Sequence, residues 1–182
     1  MEGTMSGDAV ATIRAKAKAA NINEKSLLAT DYLNHFNEAM MLLELVPSMP
    51  DCIDDLTDWH PIGYAEHFRK SNFSGRDIAI AAYELASVEY RRPFDTMIDR
   101  LGILLAATIR GARALIAIGK PESAAAMIDV AMPAIRCYQE TAGAIINGAV
   151  VKVEDNAIVE DDNDEANTNT LDQSAIDSLL NS

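Results

Sequence analysis

The sequence predicts an all-α protein. Apolar residues recur at helical spacing over two long segments, a glycine and a proline punctuate the gap between them, and the strand-like run at 149–153 has no evident partner. The 182 residues are enough for one domain with a core and tails. Four parts are expected: a mobile N-terminal segment over 1–23, an α-helical domain over 24–152, a disordered acidic linker over 153–170, and a docking peptide over 171–182.

In the first part, residues 8–20 are Ala-rich and carry Arg14, Lys16 and Lys18. Helix propensity is high there, but alanines bury little, so a mobile or weakly docked helix is expected. Thr30 or Asp31 then caps a helix over 32–46, with Tyr32, Phe36, Met40 and Leu43 at helical spacing and Pro47 as its stop. Pro50 opens a short turn that runs to Trp59, and Pro61 forces His60 into an extended conformation. A brief helix over 64–70 follows. Asn72 or Ser74 begins another, with Ile78, Ile80, Tyr83 and Leu85 as its apolar residues. These pieces read as a small cap packed around Trp59, Phe68 and Phe73.

The body is built on a long αα-hairpin. Its first arm starts at Pro93, a residue suited to a first helical position, and carries Phe94, Met97, Ile98, Leu101, Leu104, Leu105, Thr108, Ala112, Leu115 and Ile116 as one stripe. Gly119 ends that arm and Pro121 begins the next. The second arm, 122–147, turns Ala124, Met127, Ile128, Ala131, Ile135, Tyr138, Ala142 and Ile145 inward, and Pro133 is expected to kink it. A two-helix hairpin cannot bury its stripe alone. Either the N-terminal helices cover it or a second copy does, which makes a four-helix bundle by homodimerisation.

The net charge of −13 is mostly local. Residues 154–182 hold nine acids and no Lys or Arg; removing those nine from the 28 acids leaves 19 against 15 bases elsewhere. That balance argues against a nucleic-acid partner, which requires a basic surface. No apolar run approaches the ~18 residues that span a bilayer, and the first twenty residues lack the apolar centre of a signal peptide. A cytoplasmic protein without membrane insertion is expected. Cys52 and Cys137 are far apart and read as reduced, partly buried thiols. His35, His60 and His67 lie on separate segments without metal-ligand spacing, and no glycine-rich phosphate loop occurs, so neither a metal nor a cofactor is expected. Asp51, Asp54, Asp55 and Asp58 read as a solvated face of a short helix.

The acids and lack of aromatics in 154–170 are the composition of a chain that stays unfolded. The last twelve residues differ. Asp172 suits an N-cap, Leu171 and Ile176 stand where a hydrophobic staple places them, and Ile176, Leu179 and Leu180 fall on one side at i, i+3 and i+4. So short a helix is marginal alone and is expected to order against a groove.

The run Leu171-Asp-Gln-Ser-Ala-Ile-Asp-Ser-Leu-Leu-Asn181 resembles the response-regulator-binding peptide of the flagellar switch protein FliM, of the form Leu-Ser-Gln-x-Glu-Ile-Asp-x-Leu-Leu. Ala175 stands where that peptide carries Glu. It is also similar to the C-terminal peptide of the CheZ family of chemotaxis phosphatases, Asp-Gln-x-x-Val-Asp-x-Leu-Leu-x-Ser. The resemblance implies a CheY-like receiver as partner, held by Leu171, Asp172, Gln173, Ile176, Asp177, Leu179 and Leu180, with Asp177 pairing with a base at the groove rim. On the second arm, Cys137-Tyr-Gln-Glu-Thr-Ala-Gly-Ala-Ile145 resembles the CheZ catalytic stretch Phe-Gln-Asp-Leu-Thr-Gly-Gln. The family's acidic residue corresponds to Glu140. Its water-positioning amide corresponds to Ala144, whose methyl cannot donate or accept, so an amide would have to come from Asn147 or Gln139. The resemblance thus implies a chemotaxis regulator that binds a receiver. Its alternatives are a CheZ-like phosphatase of the phosphorylated receiver and an all-α scaffold.

Overall fold

The computed structural model describes residues 11–152. Among them the regular structure is helical, with one isolated antiparallel bridge, Ile22 to Ala29, and no strand. Residues 11–17 are helical, and 3-10 turns occupy Lys18–Ala20, Thr30–Leu33 and Pro50–Leu56. The α-helices are α1 (Asn34–Leu45), α2 (Tyr64–Lys70), α3 (Arg76–Leu85), α4 (Val88–Ala117) and α5 (Pro121–Ile146). Among the described residues α4 and α5 make the most extensive contact; α1 and the 3-10 turns Thr30–Leu33 and Pro50–Leu56 pack against these arms, and α2 and α3 pack chiefly on each other.

The turn between the arms forms as its residues dictate. Gly119 adopts φ +73, its N–H donates to Ile116 O at 2.9 Å, and the Lys120 N–H reaches back to Leu115 O at 2.9 Å. This paired closure satisfies carbonyls that the end of α4 would otherwise leave bare. The end of α5 repeats it: Gly148 has φ +91, with Gly148 N–H on Ile145 O and Ala149 N–H on Ala144 O.

The first arm begins earlier than its proline suggests. α4 starts at Val88, so Pro93 sits within the helix and is buried there. At the sixth helical position it removes a hydrogen bond to the Glu89 carbonyl, on an exposed residue near the helix start where solvent can replace the donor. α5 likewise continues as one element through Pro133, which is exposed. The buried stripe of α4 gains Tyr90, Gly102 and Ile109 over the expected set, and that of α5 gains Met132 and Ile146. Leu104, Leu115, Ile116, Met127, Ala131 and Tyr138 are only partly buried against the core.

The N-terminal piece buries more than its alanines suggest. Ala17, Ala20 and Ile22 belong to the core, and a Cβ added at Gly75 would come within 2.9 Å of the Ala20 methyl. The following loop clamps the end of α5. The Asn23 side chain accepts from Lys25 N and Ser26 N, folding the chain so that buried Ser26 donates its hydroxyl to the Ile146 carbonyl. The Lys25 ammonium donates to Gly148 O at 2.8 Å and lies 5.8 Å from the Tyr90 ring centre. The Ile146 and Gly148 carbonyls, which the local closure leaves over, are therefore satisfied from a segment more than a hundred residues away.

Several helix starts also differ from expectation. Thr30 and Asp31 begin a 3-10 turn instead of capping α1, and Asp31 accepts from Asn21 Nδ2 at 3.0 Å. α3 starts after Gly75, without a side-chain cap from Asn72 or Ser74, and its fully buried residues are Ala79 and Ala82. Ile78, Ile80, Tyr83 and Leu85 are only partly covered. Cys52 is half-buried, as expected, but Cys137 is exposed because it lies on the outward side of α5. No helix among the described residues is long and apolar enough to cross a membrane.

Candidate functional site

Successive helical residues point roughly 100° apart, so Gln139 and Glu140 leave α5 in different directions. Gln139 is half-buried against α1, and its Nε2 donates to Asn37 Oδ1 at 3.0 Å. Glu140 is exposed and has no hydrogen bond or ion pair among the described residues. Asn147, two turns on, is the exposed C-cap of α5, its own N–H donating to Gly143 O at 3.0 Å. Glu140, Ala144 and Asn147 therefore share a water-facing side, while Gln139 is turned away and occupied. A lone carboxylate there can accept from water, but no neighbouring donor among the described residues aims that water. Leu171, Asp172, Gln173, Ile176, Asp177, Leu179 and Leu180 lie outside the described residues.

The aromatic cap expected around Trp59, Phe68 and Phe73 forms with Phe68 fully buried, but its centre is Tyr32. Tyr32, 1 % exposed, meets Phe36, Tyr64, His67 and Phe94 with ring centres 5.0–5.9 Å apart. Trp59 and Phe73, read as the centre of the cap, are only partly buried at its edge. The polar tips of the buried rings are matched: Tyr32 Oη donates to Ile62 O at 2.7 Å, and Tyr64 Oη accepts from the Ala29 N–H at 2.8 Å. Burial in this apolar setting drives the pKa of both phenols up.

The histidines, separate in sequence, converge beside it. His35 stacks on Trp59 with ring centres 5.2 Å apart and lies 6.3 Å from His67. The His35 Nε2 is 2.8 Å from His60 O, a contact that places the proton on that nitrogen, and Trp59 Nε1 donates to His35 O at 3.1 Å. Burial lowers the pKa of both His35 and His67, and in His67 the nearby His35 adds to it. These are structural imidazoles, each fitted into ring contacts. Among the described residues no group of three His, Cys, Asp or Glu is placed to hold a metal.

A cleft of about 530 Å³ opens between α4 and residues 61–64. Gly102 admits the close approach, since a Cβ there would stand 2.9 Å from Pro61 Cβ. Tyr83 donates to Asp95 Oδ1 at 2.9 Å within it, and Asp99 lines the same wall one turn on. Burial raises the Asp95 carboxyl above its ordinary range, and burial together with the Asp95 bond pushes Tyr83 up to about 12. The Tyr83 ring is already engaged, stacked on Tyr64 with ring centres 4.5 Å apart and with the Arg91 guanidinium 5.8 Å from its centre. The cleft thus braces α3 against α4. Comparison with family models, with curated proteins and with solved structures finds no match to this chain.

Proposed function

We propose that this chain is a chemotaxis and flagellar-motility regulator that binds a CheY-like receiver in the cytoplasm through residues 171–182. The observation that carries the reading is the pattern of Ile176, Leu179 and Leu180 on one helical side, behind the cap Asp172 and beside Asp177. Burying three such side chains releases about 1.5–3 kcal/mol each, and ordering the helix offsets much of that. The expected affinity is on the order of micromolar. The clamp of Lys25 and Ser26 fixes where the tether leaves the body, and the length of that tether then sets how near the body a receiver held by 171–182 stays. The test is an amide NMR titration of peptide 168–182 with CheY-like receivers in both phosphorylation states. Unchanged binding after Leu179→Ala plus Leu180→Ala rules the docking helix out.

A CheZ-like phosphatase is the second reading, favoured by the exposed and unpaired Glu140 carboxylate on the outward side of α5. Phosphoryl loss from a phosphorylated receiver, followed with and without the protein, decides it; turnover indifferent to Glu140→Ala removes the enzyme. Homodimerisation through the hairpin belongs to the same proposal. Ile103 and Val130, 71 % and 82 % exposed on the two arms, support it, and sedimentation equilibrium tests it.

A further inference from the structure

The strongest unassigned surface is a shallow groove of about 430 Å³ between the end of α4 and the Pro50–Leu56 turn. Ile53, Ile116 and Ala117 contribute apolar surface to it, and Arg110 and Arg113 stand over it one helical turn apart. Neither guanidinium has an ion-pair partner among the described residues. Three other bases are engaged, Arg136 with Glu44, Lys70 with Glu66, and Lys25 with Gly148 O. We propose that this groove is the resting place of the chain's own C-terminal helix, residues 171–182. The proposal rests on reading that segment as a helix with one apolar side, and not on the identity of any outside partner.

Charge selects the groove. Residues 154–182 carry nine acids and no base, so the cleft lined by Asp95 and Asp99 repels them while the arginine pair attracts them. Asp54, on the groove's other rim, turns the acidic side of the helix toward Arg110 and Arg113. Distance permits it. The tether leaves beside Tyr90, where Lys25 holds Gly148, and Arg113 lies roughly 35 Å away along α4 at 1.5 Å per residue. Eighteen residues span roughly 21–25 Å as a flexible coil and further under charge repulsion, and up to about 60 Å fully extended. Docking there hides Ile176, Leu179 and Leu180, so an outside partner competes with the body for them and gains as salt screens the arginines.

The test is the amide spectrum of the ¹⁵N-labelled full chain against that of the free 168–182 peptide. In the native chain the amides of residues 176–180 should differ from the free peptide; Arg110→Glu plus Arg113→Glu should move them onto free-peptide positions while body amides away from the groove stay in place. Arg100→Glu, a charge change outside the groove, should leave the tail docked. The proposal is overturned if the native tail already coincides with the free peptide, if charge reversal at the groove leaves it unchanged, or if Arg100→Glu releases it equally. Tail shifts that vary with protein concentration also overturn it, in favour of a second copy as the occupant. Receiver binding by the isolated peptide is measured separately, so either idea can fail alone.

Discussion

Between Ile22 and Phe94 the molecule is held by rings and long-range polar contacts; between Met97 and Ile146 it is held by small and aliphatic side chains on two helices. In the first region Tyr32, Phe36, Tyr64, Phe68 and Phe94 fill the interior, and short elements are tied by Ala29 to Tyr64 and Tyr32 to Ile62. In the second, Leu101, Leu105, Ala112, Ala124, Ile128 and Ile135 repeat at helical intervals, and glycine closures end both helices. A ring in the cap serves several segments at once, whereas a leucine in the hairpin serves chiefly the two arms. The cap is therefore expected to lose cooperativity with single changes that the hairpin absorbs locally.

The largest effect should come from Phe36→Ala, which empties a fully buried position shared by Tyr32, His35 and Trp59. A loss of about 3–5 kcal/mol is expected in urea unfolding. Leu105→Ala, equally buried in the hairpin, should cost about 2–5 kcal/mol; a cost well above that of Phe36→Ala would reverse the comparison. Ser26→Ala leaves the Ile146 carbonyl without its buried donor and should cost about 1–3 kcal/mol, with faster amide exchange at the end of α5 as its local signature. Gly119→Ala forces a Cβ into φ +73 and should cost about 1–2 kcal/mol, a strain confined to the turn.

Acidification gives the gentlest probe. His35 and His67 have folded pKa values below the ordinary 6.5, so the unfolded chain binds protons first as pH falls. Their contribution is complete above about pH 6.5 and is lost as pH drops from there toward the folded values. Glu38, Asp31 and the backbone carbonyls favour the charged rings, while Lys70, His60 and the mutual repulsion of the pair oppose them. Urea midpoints measured from about pH 7.5 to about pH 5.5 should fall, and His35→Gln plus His67→Gln should flatten that slope. A native slope that the double substitution leaves intact would place the acid sensitivity elsewhere.

The hairpin was legible because its information is local. Phe94, Leu101 and Leu105 announce a stripe by spacing alone, and Gly119 followed by Pro121 announces a stop and a start. The helix over 64–70 was legible for the same reason, set between Gly63 and an extended Ser71. Pro93 misled because a proline is compatible with a first position and also with a slightly later one near an exposed helix start. Of the candidate site, the outward placement of Glu140 and Asn147 follows from helical phase, but the engagement of Gln139 by Asn37 does not, since its partner lies on another helix.

By itself the sequence determined the helical class, the two arms and their turn, and the abrupt change to an acidic, base-free tail, because each depends on residues within a few positions of one another. Only the tertiary structure decided that Tyr32 is the hub of the cap, that Ser26 and Lys25 close the end of α5, and that Arg110 and Arg113 meet no carboxylate among the described residues. Those outcomes join segments tens to more than a hundred residues apart, and no local propensity encodes which distant group will arrive to satisfy a carbonyl, stack on a ring or neutralise a charge.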